Sequence, residues 1–106
     1  MEEKRDSKRI PFRHNVHYGL TEPPQFISFI TDISVTGLYI KTNKVFAPGT
    51  KLFLLIEANE SLFKAEGIVV WSKKAPPHLV RHMKSGMGIK FTHVTGELME
   101  LYKNKV

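Results

Sequence analysis

Short runs of alternating apolar residues, separated by turn residues, recur along the chain and constrain its fold more than any other feature. Because successive side chains of a β-strand point to opposite faces, each run can cover a core with one face. The runs predict six strands, at residues 13–20, 26–33, 38–42, 51–57, 62–72 and 86–91. Gly67, inside the fifth run, predicts a bulge or a bend of the kind that lets a small barrel close.

The spacing changes after Thr95, where Leu98, Leu101 and Tyr102 fall at positions i, i+3 and i+4. This spacing predicts one C-terminal helix with Thr95 as its N-cap. Six short strands followed by one helix are typical of a mainly β fold. We therefore predict a six-stranded antiparallel β-barrel whose C-terminal α-helix covers an opening.

The length of 106 residues predicts a single domain. Residues 1–13 are charged and irregular, so we expect a flexible N-terminal arm there, followed by one barrel domain over residues 14–106. The sequence has no cysteine, which excludes disulfides and thiolate zinc sites and favours the reducing cytoplasm. No apolar run approaches the ~20 residues that a membrane-spanning helix needs, so we expect no membrane insertion.

A net charge of +6 favours anionic partners such as a nucleotide, a nucleic acid or a membrane surface. The 16 Lys and Arg residues are scattered, with the densest cluster at residues 4–13. A solvated basic surface explains the same charge equally well. Charge alone does not choose the partner.

The polar residues Asp32, Ser34 and Gly37 stand between the second and third predicted strands. A carboxylate can accept hydrogen bonds from the ring N–H and exocyclic amino groups of a base, and a serine hydroxyl can donate to an oxygen. Gly37 would let a flat ligand approach the backbone. The alternative is a structural turn, because Asp, Ser and Gly are also the residues that turns favour.

Two arginines, Arg5 and Arg9, lie four residues apart in the basic N-terminal segment. A planar guanidinium suits phosphates, the O6/N7 edge of guanine and stacking on a ring. The alternative is a solvated arm, which is the usual role of a run of charges. Taken together with Asp32 and Ser34, the arginines indicate a site for an anionic guanine nucleotide.

At these residues the chain resembles the PilZ family, the bacterial receptor domains for cyclic di-GMP. The family signature pairs RxxxR, here Arg5 to Arg9, with a downstream D/NxSxxG, here Asp32 to Gly37. The resemblance continues along the chain: residues 10–11 follow the second arginine, residues 47–50 precede a strand, and residues 86–91 precede a C-terminal helix. It implies that both arginines contact guanine faces and phosphates, and that Lys4 bears on whether one or two nucleotides bind.

The sequence gives little support for a metal site or for catalysis. Five histidines are present, but there is no cysteine and no HExxH motif, so we expect no metal and no cofactor beyond the ligand itself. Asp32, Ser34 and a histidine could be drawn as a triad, yet no G-x-S-x-G elbow or P-loop occurs. We expect a binding protein and not an enzyme.

The resulting hypothesis is a cytoplasmic receptor that binds cyclic di-GMP and acts in trans, as a signalling adaptor, on an unidentified effector protein. One alternative is a small basic barrel that binds single-stranded nucleic acid. Against it, we expect Phe53, Phe63, Trp71 and Phe91 to lie in the core, so no nucleic-acid partner is expected. The other alternative is a PilZ-fold module that binds only protein.

Overall fold

The computed structural model describes residues 8–79 and 84–105. Within these residues six strands and one helix follow the predicted order. The bounds are β1 (Ile10–Gly19), β2 (Phe26–Ile33), β3 (Gly37–Lys41), β4 (Lys51–Ala58), β5 (Ser61–Lys73), β6 (Gly86–Val94) and α1 (Gly96–Lys105). A short 3-10 helix, Pro77–Leu79, lies between β5 and β6.

All neighbouring strands pair antiparallel, and the sheet closes on itself in the order β1-β2-β3-β6-β5-β4. Closure removes the free sheet edges that would otherwise expose unpaired N–H and C=O groups. The predicted six-stranded antiparallel barrel with one C-terminal helix is confirmed.

The core fills the barrel interior with side chains from alternate positions of every strand. Among the described residues, the fully buried apolar side chains include Val16, Ile30, Ile33, Leu38, Ile40, Leu52, Ile56 and Met87. Helix α1 adds Leu98 and Tyr102 to the same cluster, and the Leu98 N–H bonds to the Thr95 hydroxyl at 3.3 Å. The helix face and the N-cap are therefore as predicted.

Strand β1 begins at Ile10, three residues before its predicted start at residue 13. Residues 10–13, assigned from sequence to a flexible arm, are therefore part of the barrel. The physical reason is alternation: Ile10 and Phe12 are buried, whereas Pro11 and Arg13 are exposed. The rest of the predicted arm, residues 1–7, lies outside the described part of the chain.

Four register shifts interrupt the alternation that the sequence suggests. They fall between Pro11 and His14 in β1, between Ile30 and Asp32 in β2, and between Glu66 and Gly67 and between Val69 and Trp71 along β5. The sequence predicts a bulge or bend at Gly67, and the shift there places the extra residue, Thr92, on β6. The shift near Trp71 leaves Val70 and Trp71 both exposed, so the expectation that Trp71 lies in the core is wrong.

In the part of the chain that the structure describes, no helix is long and apolar enough to span a lipid bilayer.

The hairpin between β4 and β5 turns through Asn59 and Glu60, which have φ of 52° and 62°. A non-glycine residue in this left-handed region costs roughly 1–2 kcal/mol, and glutamate lacks the short side chain that makes Asn tolerable there. We expect Glu60→Gly to stabilise the fold by about 1 kcal/mol, a rise in melting temperature of a few degrees. Glu97→Gly, the same change inside α1, is expected to lower the melting temperature instead. A Glu60→Gly variant that melts at or below the wild-type temperature would show that the positive φ of Glu60 does not destabilise the fold.

Candidate nucleotide-binding site

The two sequence motifs meet in space at Arg9 and Asp32. Antiparallel pairing places Pro11 opposite Asp32, so the residue just before β1 reaches the end of β2. Arg9 Nη1 lies 2.7 Å from Asp32 Oδ1, with the two side chains 47% and 32% exposed. Because an ion pair this exposed contributes only about 0–1 kcal/mol to stability, its groups can be exchanged for a ligand at small cost. Arg5 and Lys4 lie outside the described residues.

Asp32 is held in position by a second contact. Its Oδ2 atom accepts a hydrogen bond from the Thr31 hydroxyl at 2.9 Å, so both carboxylate oxygens have a donor. The carboxylate therefore presents a fixed direction to anything that replaces Arg9. A planar donor edge with two N–H groups matches such a carboxylate.

Ser34 forms the turn between β2 and β3. Its side chain is 1% exposed, its backbone N–H donates to the Gly37 carbonyl at 2.8 Å, and its Oγ accepts from the Thr36 N–H at 3.2 Å. Of the two roles that the sequence left open, this geometry supports the structural turn. Among the described residues, Ser34 makes no hydrogen bond to Asp32; it fixes the backbone that follows Asp32.

Gly37 has its own structural role at the point where β3 approaches β6. A Cβ atom there would overlap the carbonyl oxygen of Ile89, a backbone atom that cannot swing aside. Next to it, the Phe91 N–H donates to the Thr36 carbonyl at 2.8 Å. The space that glycine leaves is therefore occupied by the neighbouring strand, so strand packing alone requires glycine at this position, whether or not a ligand binds.

A cavity of about 470 Å³ opens beside Asp32 on the outer surface of the barrel. Its walls carry three cations, Arg13, Lys41 and Lys84, together with Phe29, Thr31, Asp32 and Tyr39. None of these cations forms an ion pair with another residue in the described ranges. The cavity thus joins free positive charge to the exposed ring of Phe29, over which Lys41 Nζ lies 5.9 Å from the centroid.

An aromatic pair extends this surface across β3, β6 and β5. The rings of Tyr39 and Trp71 stack with centroids 5.2 Å apart and planes inclined by 23°. They lie over Gly86 and Gly88, where a Cβ atom would overlap them. Burial first, and then the charge of Asp32, raises the pKa of Tyr39, so its hydroxyl stays protonated at neutral pH. The pair offers a flat apolar face next to the carboxylate, suited to stacking a base.

Sequence reasoning missed Arg13, Phe29, Lys41, Lys84 and the Tyr39–Trp71 pair. Regular alternation along residues 26–33 would put Phe29, Thr31 and Ile33 on one face, but the register shift between Ile30 and Asp32 leaves Ile33 in the core and Phe29 exposed. Lys84 comes from the loop before β6 and lies 52 residues beyond Asp32, a distance at which no local pattern signals contact. The detectable signal was Arg13, which lies both in the first predicted strand and in the basic cluster of residues 4–13.

Tyr102 positions the backbone next to Arg9. Its ring is buried among core residues, and its hydroxyl donates to the Lys8 carbonyl at 2.7 Å. Helix α1 therefore holds the segment that carries Arg9, although 94 positions separate the two bonded residues. The candidate site depends on both the strand pairing and this helix.

Metal ligands do not converge in this part of the molecule. Within residues 8–79 and 84–105, no group of three or more His, Asp or Glu side chains is placed to hold a metal ion.

The family model of the PilZ domain matches residues 3–106. Among solved structures, the chain is similar to that of Bacillus subtilis inhibitor of motility (MotI/DgrA), with a TM-score of 0.72 and 17% sequence identity. The match covers 92% of this chain and 46% of that one, so the chain spans about half the length of the solved structure. At this identity the likeness shows a shared fold. No curated protein matches the chain.

We expect Gly37→Ala to destabilise the fold by roughly 1–3 kcal/mol, because the new methyl group must displace backbone of β6. Gly96→Ala is the control, since a Cβ atom there meets nothing within 4 Å. Chemical denaturation measures both changes. Equal stability of the two variants would show that β3 and β6 tolerate a side chain at their closest approach.

We expect Tyr102→Phe to loosen the segment around Arg9 while keeping the core packed, because only the hydroxyl is lost. The Lys8 carbonyl then has no donor from α1, at a cost of about 1 kcal/mol. The measurement is hydrogen exchange of the Arg9 and Ile10 amides. We expect their exchange rates to rise above the wild-type rates by a larger factor than those of the β4 amides. Unchanged rates at both amides would show that the Tyr102 hydroxyl does not hold this segment.

Proposed function

This chain belongs to the PilZ domain family, and we propose that it binds cyclic di-GMP at the surface around Arg9 and Asp32. PilZ domains are binding and adaptor modules, and a non-catalytic role for this chain is part of the proposal. The single observation that supports it best is the 2.7 Å contact between Arg9 and Asp32, which joins the two signature motifs at one point. A guanidinium and a carboxylate face each other only because the fold brings the two motifs together.

The chemistry of guanine fits the two groups. A guanidinium donates in a plane to O6 and N7, while a carboxylate accepts from the ring N–H and the exocyclic amino group. Binding would open the Arg9–Asp32 pair and replace one charge-assisted hydrogen bond by several. Since the pair is exposed, breaking it costs less free energy than the new charge-assisted hydrogen bonds to the ligand contribute.

The remaining parts of a cyclic dinucleotide have partners in the same cavity. Its two phosphates carry negative charge, for which Arg13, Lys41 and Lys84 are available without breaking an ion pair of the described chain. Its second base can stack on the exposed ring of Phe29 or on the Tyr39–Trp71 pair. In the proposal Arg5 and Lys4 complete the phosphate contacts. Ser34 and Gly37 contribute by holding the turn between β2 and β3 that follows Asp32.

We further propose that the bound form acts in trans on an effector protein in the cytoplasm. Contacts of the N-terminal residues with the ligand would change the surface that a partner meets, because a segment that orders on a ligand exchanges conformational freedom for charged hydrogen bonds. The solved structure that the chain resembles is named as an inhibitor of motility. A motility component is therefore one class of effector to test.

Binding of single-stranded nucleic acid is a second candidate, and one observation favours it. Trp71 is 46% exposed and stacks on Tyr39, which lines the cavity together with Lys41 and Lys84. Barrels that bind single strands hold successive bases on aromatic rings next to positive charge. Against it, the charged pair and the cavity converge on one point and do not follow a groove. Salt separates the two: oligonucleotide affinity falls steeply with ionic strength, in proportion to the phosphates contacted, whereas a compact site that reads base edges loses less.

Isothermal titration with cyclic di-GMP tests the proposed function. We expect Arg9→Ala and Asp32→Asn each to weaken binding by about 10–100-fold, because each removes a charged hydrogen bond worth about 1.5–3 kcal/mol. Lys64→Ala, on β5 away from the cavity, is the matched control and is expected to bind as the wild type does. Cyclic di-AMP serves as the specificity control, since adenine lacks the O6 acceptor.

Two outcomes would overturn the proposal. One is a wild-type protein that takes up no cyclic di-GMP at low salt. The other is Arg9→Ala and Asp32→Asn binding with wild-type affinity while circular dichroism shows an intact barrel, which would place the nucleotide elsewhere. Tight, salt-sensitive binding of an oligonucleotide in place of cyclic di-GMP would favour the second candidate.

A further inference from the structure

The outer side of β5 carries a run of apolar side chains that continues into an aromatic pair. Ile68 is 36% exposed, Val70 50% and Trp71 46%, because the bulge before Trp71 leaves Val70 outside as well. Trp71 pairs with Gly88 of β6, which pairs with Tyr39 of β3. Since glycine has no side chain, the two rings stack over it and no charged group separates them. We call this surface the tryptophan face; its apolar and aromatic residues are Ile68, Val70, Trp71 and Tyr39.

Lysines border the tryptophan face at both of its ends. At one end, Lys90 of β6 lies opposite Ile68 in the strand register. At the other end, Lys73 of β5 and Lys41 of β3 both pair with Gly86, again a residue without a side chain. The three lysines are exposed and form no ion pair with another described residue. Their charge is therefore available to a partner outside the molecule.

The carboxylates nearest to this face in the strand register already have cation partners. Asp32, opposite Tyr39 on β2, contacts Arg9, and Glu66 of β5 contacts Lys51 at 3.2 Å. On a chain of net charge +6, the lysines around the face thus give it a positive potential. An occupant of the tryptophan face must accept both exposed apolar side chains and positive charge.

We propose that the tryptophan face docks on the surface of an anionic lipid bilayer. Tryptophan and tyrosine suit the boundary between headgroups and acyl chains, because each ring has an apolar body and a polar edge. Exposed aliphatic side chains such as Ile68 and Val70 gain free energy by leaving water there, and lysines attract acidic headgroups. The protein lies on the bilayer without spanning it, and contacts of this kind are reversible.

A bilayer fits this surface better than an oligonucleotide or another protein does. An oligonucleotide uses rings and cations but offers little to the aliphatic side chains of Ile68 and Val70. The core of a protein interface is depleted of lysine, whereas three lysines border this small apolar surface. The outside of a closed barrel is also convex, and a fluid lipid surface can follow a convex shape without a complementary groove.

The tryptophan face borders the cavity beside Asp32 and shares Tyr39 and Lys41 with its wall. A bilayer and a nucleotide would therefore compete for these two residues. Docking itself needs only the exposed rings, aliphatic side chains and lysines. It is tested without nucleotide, so that its failure and the failure of cyclic di-GMP binding are separate results.

Trp71 is the single tryptophan of the chain, so its fluorescence reports on this face alone. The probe is a vesicle of equal parts phosphatidylcholine and phosphatidylglycerol at physiological ionic strength. We expect the protein to sediment with these vesicles and the Trp71 emission to shift to shorter wavelength, because the indole leaves water. We expect vesicles of phosphatidylcholine alone to bind about 10–100-fold more weakly, because the lysines then have no anionic headgroups to contact.

Val70→Glu places a carboxylate in the tryptophan face and is expected to weaken vesicle binding by about tenfold or more. Leu62→Glu is the matched control, because Leu62 is 61% exposed on the same strand, eight residues earlier, and the two variants have the same net charge. At about 26 Å along the strand, the new charge of Leu62→Glu is screened from the face, so we expect wild-type binding within about twofold. Melting curves of both variants check that the barrel is intact.

Any of four results would overturn the proposal. One is a wild-type protein that does not sediment with the anionic vesicles even at low salt. Another is sedimentation without a shift of the Trp71 emission, because the contact then lies elsewhere. Equal weakening by Val70→Glu and Leu62→Glu would show that net charge, and not this face, governs binding. Binding of a single-stranded oligonucleotide that shifts the Trp71 emission, with no binding of vesicles, would assign the face to nucleic acid.

Discussion

The antiparallel pairing of the start of β1 with the end of β2 is the constraint on which the candidate site depends. It places Ile10 opposite Ile33 and so brings Arg9 to the carboxylate of Asp32. The same register continues through β3, where Asp32 lies opposite Tyr39, and through β6, where Tyr39 packs over a glycine. One backbone alignment therefore positions the cation, the carboxylate and the aromatic face, and none of them needs a dedicated loop.

The sequence was sufficient to predict the elements and their order because strand and helix impose different periods on apolar residues. Burial of one face selects a period of two in the strands, and the change to a spacing of three and four at Leu98, Leu101 and Tyr102 marks the helix. The family followed from residues 5–9 and 32–37 together, and the match over residues 3–106 confirms it. The contact between Arg9 and Asp32 is consistent with the shared site inferred from those motifs.

What the sequence could not disclose depends on bulges and on contacts between distant residues. A one-residue register shift reverses the face of every side chain beyond it, which is why Trp71 emerged on the surface and Phe29 became part of a cavity wall. Gly37 looks like a ligand-facing residue in the motif, yet its lack of a side chain is required by the Ile89 carbonyl of a strand 52 residues away.

The hydrogen bond from Tyr102 to the Lys8 carbonyl has a consequence for how the molecule is assembled. It closes a loop of almost the whole chain, and contacts of such high sequence separation form late because the chain entropy must be lost first. During synthesis, the segment that carries Arg9 leaves the ribosome before α1, so the Lys8 carbonyl lacks the Tyr102 hydroxyl until the helix follows. The surface around Arg9 is thus the last part of the barrel to mature, and a nascent chain stalled before the helix would expose an unfinished one.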